Sequence, residues 1–405
     1  MEKTAQCCIA GGGPAGMMLG LLLARAGLKV MVLEKHRDFL RDFRGDTIHP
    51  STLELLHELG LLEEFLRLPH QKVHELRAQF GELSLAVADF SGLPVRCPYI
   101  AMIPQWDFLD FLASRGKVYP GFSLLMQAEV TDLLQEKNKI MGVRCTTPQG
   151  PLEVRAELVV GADGRHSLVR ERAQLPVTDL AAPIDVLWFG LSRRPGDSPD
   201  TMARFDSGSI LVMLNRGDYW QCAFVIAKGG LETVKQKGLE AFRATIAGLT
   251  RIAGERMGEI RSWDDVKLLT VQVNRLREWC RPGLLCIGDA AHAMSPVGGV
   301  GINLAIQDAV AAANVLWRGD YSLRTLKTIQ QRREFPTRVT QAIQVAVQNN
   351  ILKRVLEDID GIAPPLAVRA LARYRWLRRI PARMVGLGVR PEHIGSPDAS
   401  RTVAA

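Results

Sequence analysis

Two clusters of glycines and acids carry most of the chemistry legible in this 405-residue chain. The first is the run Gly11-Gly12-Gly13-Pro14-Ala15-Gly16, followed by Glu34 and Lys35. In the pattern Gly-x-Gly-x-x-Gly, Gly11 makes a tight turn, Gly13 lets a pyrophosphate approach bare backbone, and Gly16 lets helix and strand pack closely. Glu34 stands where it can accept a hydrogen bond from an adenosine ribose. The second cluster is Gly288-Asp289 and the loop Pro296, Gly298, Gly299, Val300 and Gly301, which opens a helix near Ile302-Asn303. Without Cβ atoms such a loop lets a flat ligand lie against backbone. The helix start adds unpaired N–H groups and a positive dipole end. Asp289, at a strand end, is placed to accept from hydroxyls such as those of a ribityl chain. Together the clusters suit an extended, polyhydroxylated, electron-accepting ligand.

The elements that must hold these groups alternate in type. Residues 6–10 read as a short apolar strand, a helix runs to Ala26 with Gly27 as its cap, and residues 29–33 form the next strand, a βαβ unit. A basic connector leads to Arg44, a candidate for neutralising phosphate, and to His49, a candidate pocket residue. A helix follows to about Leu59. Residues 73–87 read as strands, and Gln105 precedes a helix over 106–114. Residues 122–130 and 140–146 suggest a hairpin. Residues 157–161 form a buried strand that ends at Asp163-Gly164-Arg165-His166-Ser167 and Arg170. From 185 to 226, strands rich in Trp, Phe, Ile, Val and Met alternate with turns such as Asn215-Arg216-Gly217-Asp218, which marks an antiparallel sheet inserted into the α/β chain. Then come a helix over 239–249, a strand over 266–273, and a largely helical remainder from Leu304.

Composition narrows the function. Hydrophobic content is 47% and charged content 23%, ordinary for a globular protein and unlike a disordered chain. The net charge of +8 is not gathered into a basic, aromatic-interleaved block in the first 300 residues, which argues against nucleic acid. Seven cysteines without metal spacing predict no metal site and buried thiols in a reducing compartment. With neither a signal peptide nor an uninterrupted apolar span expected, the default location is cytoplasmic.

Three motifs in order, GGGPAG with Glu34, VVGADGRHSLVR (159–170) and CIGDAAHAMSPVGGVGIN (286–303), resemble the single-component FAD-dependent aromatic hydroxylases of the para-hydroxybenzoate hydroxylase fold. The resemblance covers the chain to about Leu316. It implies an α/β fold in which a Rossmann-like FAD-binding domain (1–72, 99–180, 274–345) interleaves with an antiparallel-sheet substrate domain (73–98, 181–273), followed by a helical, basic tail (346–405). It further implies that Asp163, Gly164 and Arg170 serve FAD pyrophosphate and NAD(P)H, that Gly288-Asp289 contacts the ribityl chain, and that residues 296–303 lie along the isoalloxazine. Arg44 and Gln105 match positions that contact FAD, and Pro296, Arg44 and His49 are the catalytic candidates. The implied chemistry is reduction of FAD by NAD(P)H, uptake of O2 to a flavin C4a-hydroperoxide, and hydroxylation of an electron-rich ring.

The chain also departs from the family pattern. Where a benzoate hydroxylase holds its substrate with arginine and tyrosine, this chain has Tyr219-Trp220-Gln221-Cys222. Trp188, Phe189, Met213 and Trp220 point instead to a larger, more apolar substrate: aromatic, quinone-like or polyketide-like. The thioredoxin-like extension of phenol hydroxylases and the Trp-x-Trp-x-Ile-Pro signature of flavin halogenases are not found. A polyprenyl epoxidase or reductase is the enzymatic alternative, and a flavin-binding protein without turnover the non-enzymatic one. A monomer or homodimer fits equally. The arginine-rich stretch 368–387 admits two placements, on an anionic membrane surface at the inner face, or packed on the FAD domain with its arginines solvated.

Overall fold

The structure, a computed structural model, describes residues 1–40, 47–81, 83–197, 201–206, 208–250, 254–357 and 364–402. Arg44, one of the catalytic and cofactor candidates, lies outside the described residues.

The strand Glu2–Ala10 is exposed at its start and fully buried over Cys7–Ala10, as expected of a central parallel strand covered on both faces. It pairs in parallel with Val30–Leu33 on one side and Gly150–Gly161 on the other. Phe122–Leu125 extends the sheet beyond Val30–Leu33, and Leu284–Cys286 extends it beyond Gly150–Gly161, again in parallel. Every βα turn therefore opens at one edge of this sheet, which gathers Gly11, Glu34, Asp163 and Gly288 there. The 122–130 reading as part of a hairpin is corrected: Phe122–Leu125 is a parallel edge strand. The hairpin is Glu129–Glu136 with Lys139–Thr147, whose second strand pairs onto Gly150–Gly161.

Helix Pro14–Arg25 starts with proline at its first position, where no N–H is needed, and stops at Gly27, whose φ of +92° suits glycine. It packs against helices Gly301–Leu316 and Gln105–Gly116. Its Leu19, Leu21, Leu22 and Leu23 are all buried, each side chain contributing about 1.5–3 kcal/mol by removal from water. Residues Val297–Leu316 have the length and composition of a membrane span, yet 72% of that window is buried inside the fold.

The second sheet runs in the spatial order Lys267–Leu269, Ile184–Ser192, Tyr219–Ala227, Ser209–Asn215, Met202–Asp206, Glu75–Phe80, Leu83–Asp89. It is antiparallel except where Met202–Asp206 meets Glu75–Phe80 in parallel. The strand expected over 266–273 is shorter, because Val271 N–H turns away to the Asp185 carboxylate (2.9 Å), which Lys228 also holds. One face of this sheet packs on helix Leu239–Leu249 through Leu187, Phe189, Leu211, Met213, Trp220 and Phe224. The other carries Val186, Trp188, Ile210, Val212, Ala223 and Val225 and meets Val297, Leu352 and Val355. All seven cysteines are unpaired and buried, and burial pushes the Cys7 thiol up to about 12.

Candidate active site

The dinucleotide turn is built as its glycines require. A Cβ on Gly11 would stand 2.3 Å from the Ala162 carbonyl oxygen, and one on Gly16 would stand 1.9 Å from the Gly11 carbonyl oxygen. A Cβ on Gly13 would meet nothing within 4 Å. So Gly11 and Gly16 are glycines for internal packing, whereas Gly13 faces open space at the start of helix Pro14–Arg25, whose N-cap has no side-chain bond. Ala15 is buried beside it, and Lys35 is exposed. The Glu34 carboxylate accepts from Gly12 N–H and His36 N–H, both at 3.0 Å. Those bonds fix the carboxylate in the turn.

Asp163 has a more structural part than its motif suggests. Its carboxylate accepts from Ser167 Oγ (2.5 Å) and Val169 N–H (3.1 Å), bracing the turn into the short helix Leu168–Arg172. Burial raises its pKa against the opposing pull of those bonds. Gly164, at φ +86°, again has nothing within 4 Å of a would-be Cβ, so the open position in this loop belongs to glycine backbone. Arg170 bonds the Arg165 carbonyl (2.5 Å) and the Ala290 carbonyl (3.5 Å), tying this loop to the Gly288–Ala290 turn. Arg165 in turn reaches the half-exposed Asp289 carboxylate at 3.8 Å.

The loop ahead of the long helix turns on two consecutive left-handed glycines, Gly298 (φ +79°) and Gly299 (φ +64°). Pro296 leads into that turn at φ −67°. Helix Gly301–Leu316 then begins at Val300 without a side-chain cap, so the first N–H groups, including Gly301 and Ile302, stay available. The Asn303 side chain is not free: its Oδ1 accepts from Thr52 Oγ1 at 2.7 Å, locking this helix to Pro50–Glu58. Gln105, first residue of its own helix after Pro104, is partly buried.

His49 lies beneath the loop, fully buried. Its Nδ1 bonds the Val385 carbonyl (2.8 Å), and its Nε2 has no partner and stands 3.5 Å from where a Gly299 Cβ would be. Burial lowers the imidazole to about 4, so it is neutral.

Several supports were invisible to motif reading. Asp308 accepts from His292 Nε2 (2.6 Å), Gly288 N–H (3.0 Å) and Arg333 Nε (3.0 Å), with all three side chains buried. Burial alone would raise the Asp308 carboxyl, but His292 and Arg333 hold it below its usual value. Arg333 continues to Glu392 (3.3 Å) and to the Arg390 carbonyl (3.1 Å). Gln341, Gln344 and Gln348 form a buried ladder on helix Leu323–Val347 and its π-helical continuation. Gln344 bonds Ser295 N–H (3.1 Å), Ser295 O (3.0 Å) and Val297 O (2.9 Å), and Gln348 bonds Ser295 Oγ (2.7 Å). The spacing of 3 and 4 in Gln341, Gln344 and Gln348 was a signal available in the sequence.

The sheet positions divide. Trp188 lies on the face toward Val297, and its indole N–H is buried without a partner. Met213, Trp220 and Phe189 lie on the opposite face, packed against the 239–249 helix, with Trp220 Nε1 donating to Asp197 (3.4 Å). Strand alternation decides this, since Trp188 pairs with Ala223 and Met213 with Cys222. Among the described residues no acidic, His or Cys cluster suits a metal.

These open glycine positions, the uncapped helix starts and the turn acids fit FAD as a group. Residues 4–343 match the model of the FAD binding domain family. This chain belongs to the FAD-dependent aromatic monooxygenases. It is 34% identical to the 6-methylpretetramide 4-monooxygenase of Streptomyces rimosus, over 92% of this chain and 91% of that protein. It is 30% identical to the 12-dehydrotetracycline 5-monooxygenase/anhydrotetracycline 6-monooxygenase of the same species, over 76% of this chain but only 61% of that longer protein. The fold matches the anhydrotetracycline hydroxylase OxyS of Streptomyces rimosus with a TM-score of 0.73 at 24% identity, covering 96% of this chain and 77% of that one. This FAD-dependent monooxygenase is thus held together by an α/β cofactor domain interleaved with a second sheet.

Proposed function

We propose that this enzyme consumes NAD(P)H and O2 to hydroxylate a polyketide-like aromatic ring in the cytoplasm, by the flavin C4a oxygen chemistry that the family resemblance implies. When bound, FAD supplies electron transfer and oxygen activation. The observation that carries the reading is the meeting of the Gly298-Gly299 turn, the uncapped start of helix Gly301–Leu316 and the apolar face bearing Trp188.

In this reading Gly13, Gly164 and the first turn of helix Pro14–Arg25 receive the pyrophosphate, and Glu34 the adenosine ribose. Asp289 takes ribityl hydroxyls, freeing Arg165 for phosphate. The N–H groups at Gly301 and Ile302 favour negative charge on the reduced ring system. Pro296 and Val300 shape the ring's bed, while Arg44, proposed from its family position, adds a cation. Val297, Val300 and Leu304 exclude water. Trp188 donates its orphan N–H to a substrate oxygen. The relatives named for 6-methylpretetramide and anhydrotetracycline favour a fused polycyclic substrate over a benzoate.

The test is a panel of polycyclic phenols and quinones offered with NADH or NADPH and isotopically labelled O2. A hit accelerates flavin reduction and gains one labelled oxygen atom. A product that instead gains two hydrogens would establish the reductase alternative, and no NAD(P)H-driven oxygen uptake with any compound would refute turnover.

A further inference from the structure

We propose that the segment from Pro364 to Arg390 docks this enzyme onto an anionic lipid surface. The segment carries seven arginines (369, 373, 375, 378, 379, 383 and 390) and no Asp, Glu or Lys. It folds as helix Leu366–Arg373, a 3-10 turn Arg375–Arg378 and helix Arg379–Gly386.

Its inner side is well anchored. Val368 packs with Ala78, Phe80 and Leu85, and Ala382 and Leu387 pack with Ala88, Phe90 and Leu93. Through these residues the segment lies on the second sheet, while its Val385 reaches the cofactor domain. Arg378 is spent internally, donating to the Leu371 (2.9 Å) and Ala372 (3.0 Å) carbonyls and so closing the first helix.

The outer side is not what a solvated helix face requires. Leu366 is 80% exposed, Trp376 66%, Ile380 53% and Tyr374 52%. Exposed Arg369, Arg373, Arg375, Arg379 and Arg383 stand among them. Among the described residues no carboxylate lies within ion-pair distance of these five arginines. Apolar and aromatic groups interleaved with uncompensated cations suit one environment above others: a headgroup layer with negative charge over an apolar interior. A second copy placed face to face would bring arginine against arginine, on a chain of net charge +8. An acidic protein would answer the arginines, but Leu366, Trp376 and Ile380 are separated by charges and present no continuous face for a folded partner.

The same segment walls the site. The Val385 carbonyl receives His49 Nδ1, and the Val385 side chain packs with Met294, Val300 and Leu304. Docking therefore sets the bilayer beside the cofactor loop, although the docking itself does not depend on which reaction is catalysed.

The experiment is flotation of the FAD-loaded full chain with vesicles of phosphatidylcholine, with and without phosphatidylglycerol. Binding is expected only with phosphatidylglycerol, weakening with salt. Arg373→Ala/Arg375→Ala/Arg379→Ala should weaken it by about a hundredfold, at about fivefold per arginine. Trp376→Ala/Ile380→Ala should weaken it by at least about tenfold. Flavin content and turnover in free solution should stay unchanged in both variants, which separates this proposal from the reaction assignment. The idea is overturned if neither vesicle binds, or if both bind equally. It is also overturned if binding survives the arginine substitutions, which would place the lipid contact elsewhere on the chain. Loss of a dimer in the Trp376→Ala/Ile380→Ala variant, without vesicle binding by the parent, would assign the face to a second copy instead.

Discussion

His49 donates from Nδ1 to the main-chain carbonyl of Val385, 2.8 Å away and 336 positions further along the chain. A carbonyl can only accept, so Nδ1 carries the proton and Nε2 is a bare lone pair facing the cofactor loop. Burial holds this imidazole at about 4, against 6.5 for an unperturbed histidine. As pH falls, the unfolded chain takes up the proton first, so the contribution is complete above pH 6.5 and is lost as pH drops towards 4. Over that window the loss amounts to about 3 kcal/mol. Denaturation midpoints measured from neutral to acid pH should show this slope, and His49→Gln should flatten it. An unaltered slope in the variant would mean that His49 is not buried neutral.

Gly13 and Gly16 should respond oppositely to alanine. A Cβ at Gly16 runs into the Gly11 carbonyl, so Gly16→Ala should destabilise the apoprotein by about 2 kcal/mol or more. A Cβ at Gly13 meets no protein atom, so Gly13→Ala should fold within about 0.5 kcal/mol of the parent yet bind FAD at least tenfold more weakly. Flavin titration beside chemical denaturation measures both. Normal FAD affinity in Gly13→Ala would remove the pyrophosphate from this turn.

Asp289→Ala is expected to purify as colourless, folded protein, since the carboxylate is only half-buried and its one ion pair, to Arg165, is long. The absorption spectrum decides: a yellow, active variant rules out the ribityl assignment.

Gln344→Leu removes two N–H donors and one acceptor and strands Ser295 N–H, Ser295 O and Val297 O. We expect a loss of about 2–4 kcal/mol in stability and weaker flavin binding, because the next residues are the loop itself. If only stability changes, the ladder supports the fold without positioning the cofactor.

Trp188 and Trp220 are a matched pair on opposite faces of one sheet. Trp220→Phe should cost stability, by loss of core packing and of the bond to Asp197, and leave substrate KM unchanged. Trp188→Phe keeps the ring but removes the orphan N–H, so it should raise substrate KM with little effect on the melting temperature. The reverse outcome would place the substrate on the helix side.

Local chemistry in the chain was strongly expressed. Gly11, Gly13, Gly16 and Glu34 announce a βαβ turn because each has one steric or hydrogen-bonding task that few other residue types can perform. Likewise Gly298 and Gly299 announce a left-handed turn before a helix, and the apolar runs at 7–10 and 30–33 announce strands buried on both faces. Such signals are contained within a few residues, so the sequence by itself determined the cofactor class and the two-sheet architecture.

Facing and long-range partnership were decided only in three dimensions. Whether Trp188 or Trp220 looks toward the cofactor loop depends on register, where one residue reverses every side chain. That Asp163 braces its own turn, that Asp308 gathers His292, Arg333 and Gly288, and that Val385 fixes the His49 tautomer all depend on which backbone groups lie within about 3 Å after packing. Hydrogen bonds at that range join residues more than 330 positions apart, and no local pattern encodes such a meeting. Residue types specified the chemistry available, and burial chose which of those groups is spent on the fold and which is left for a ligand.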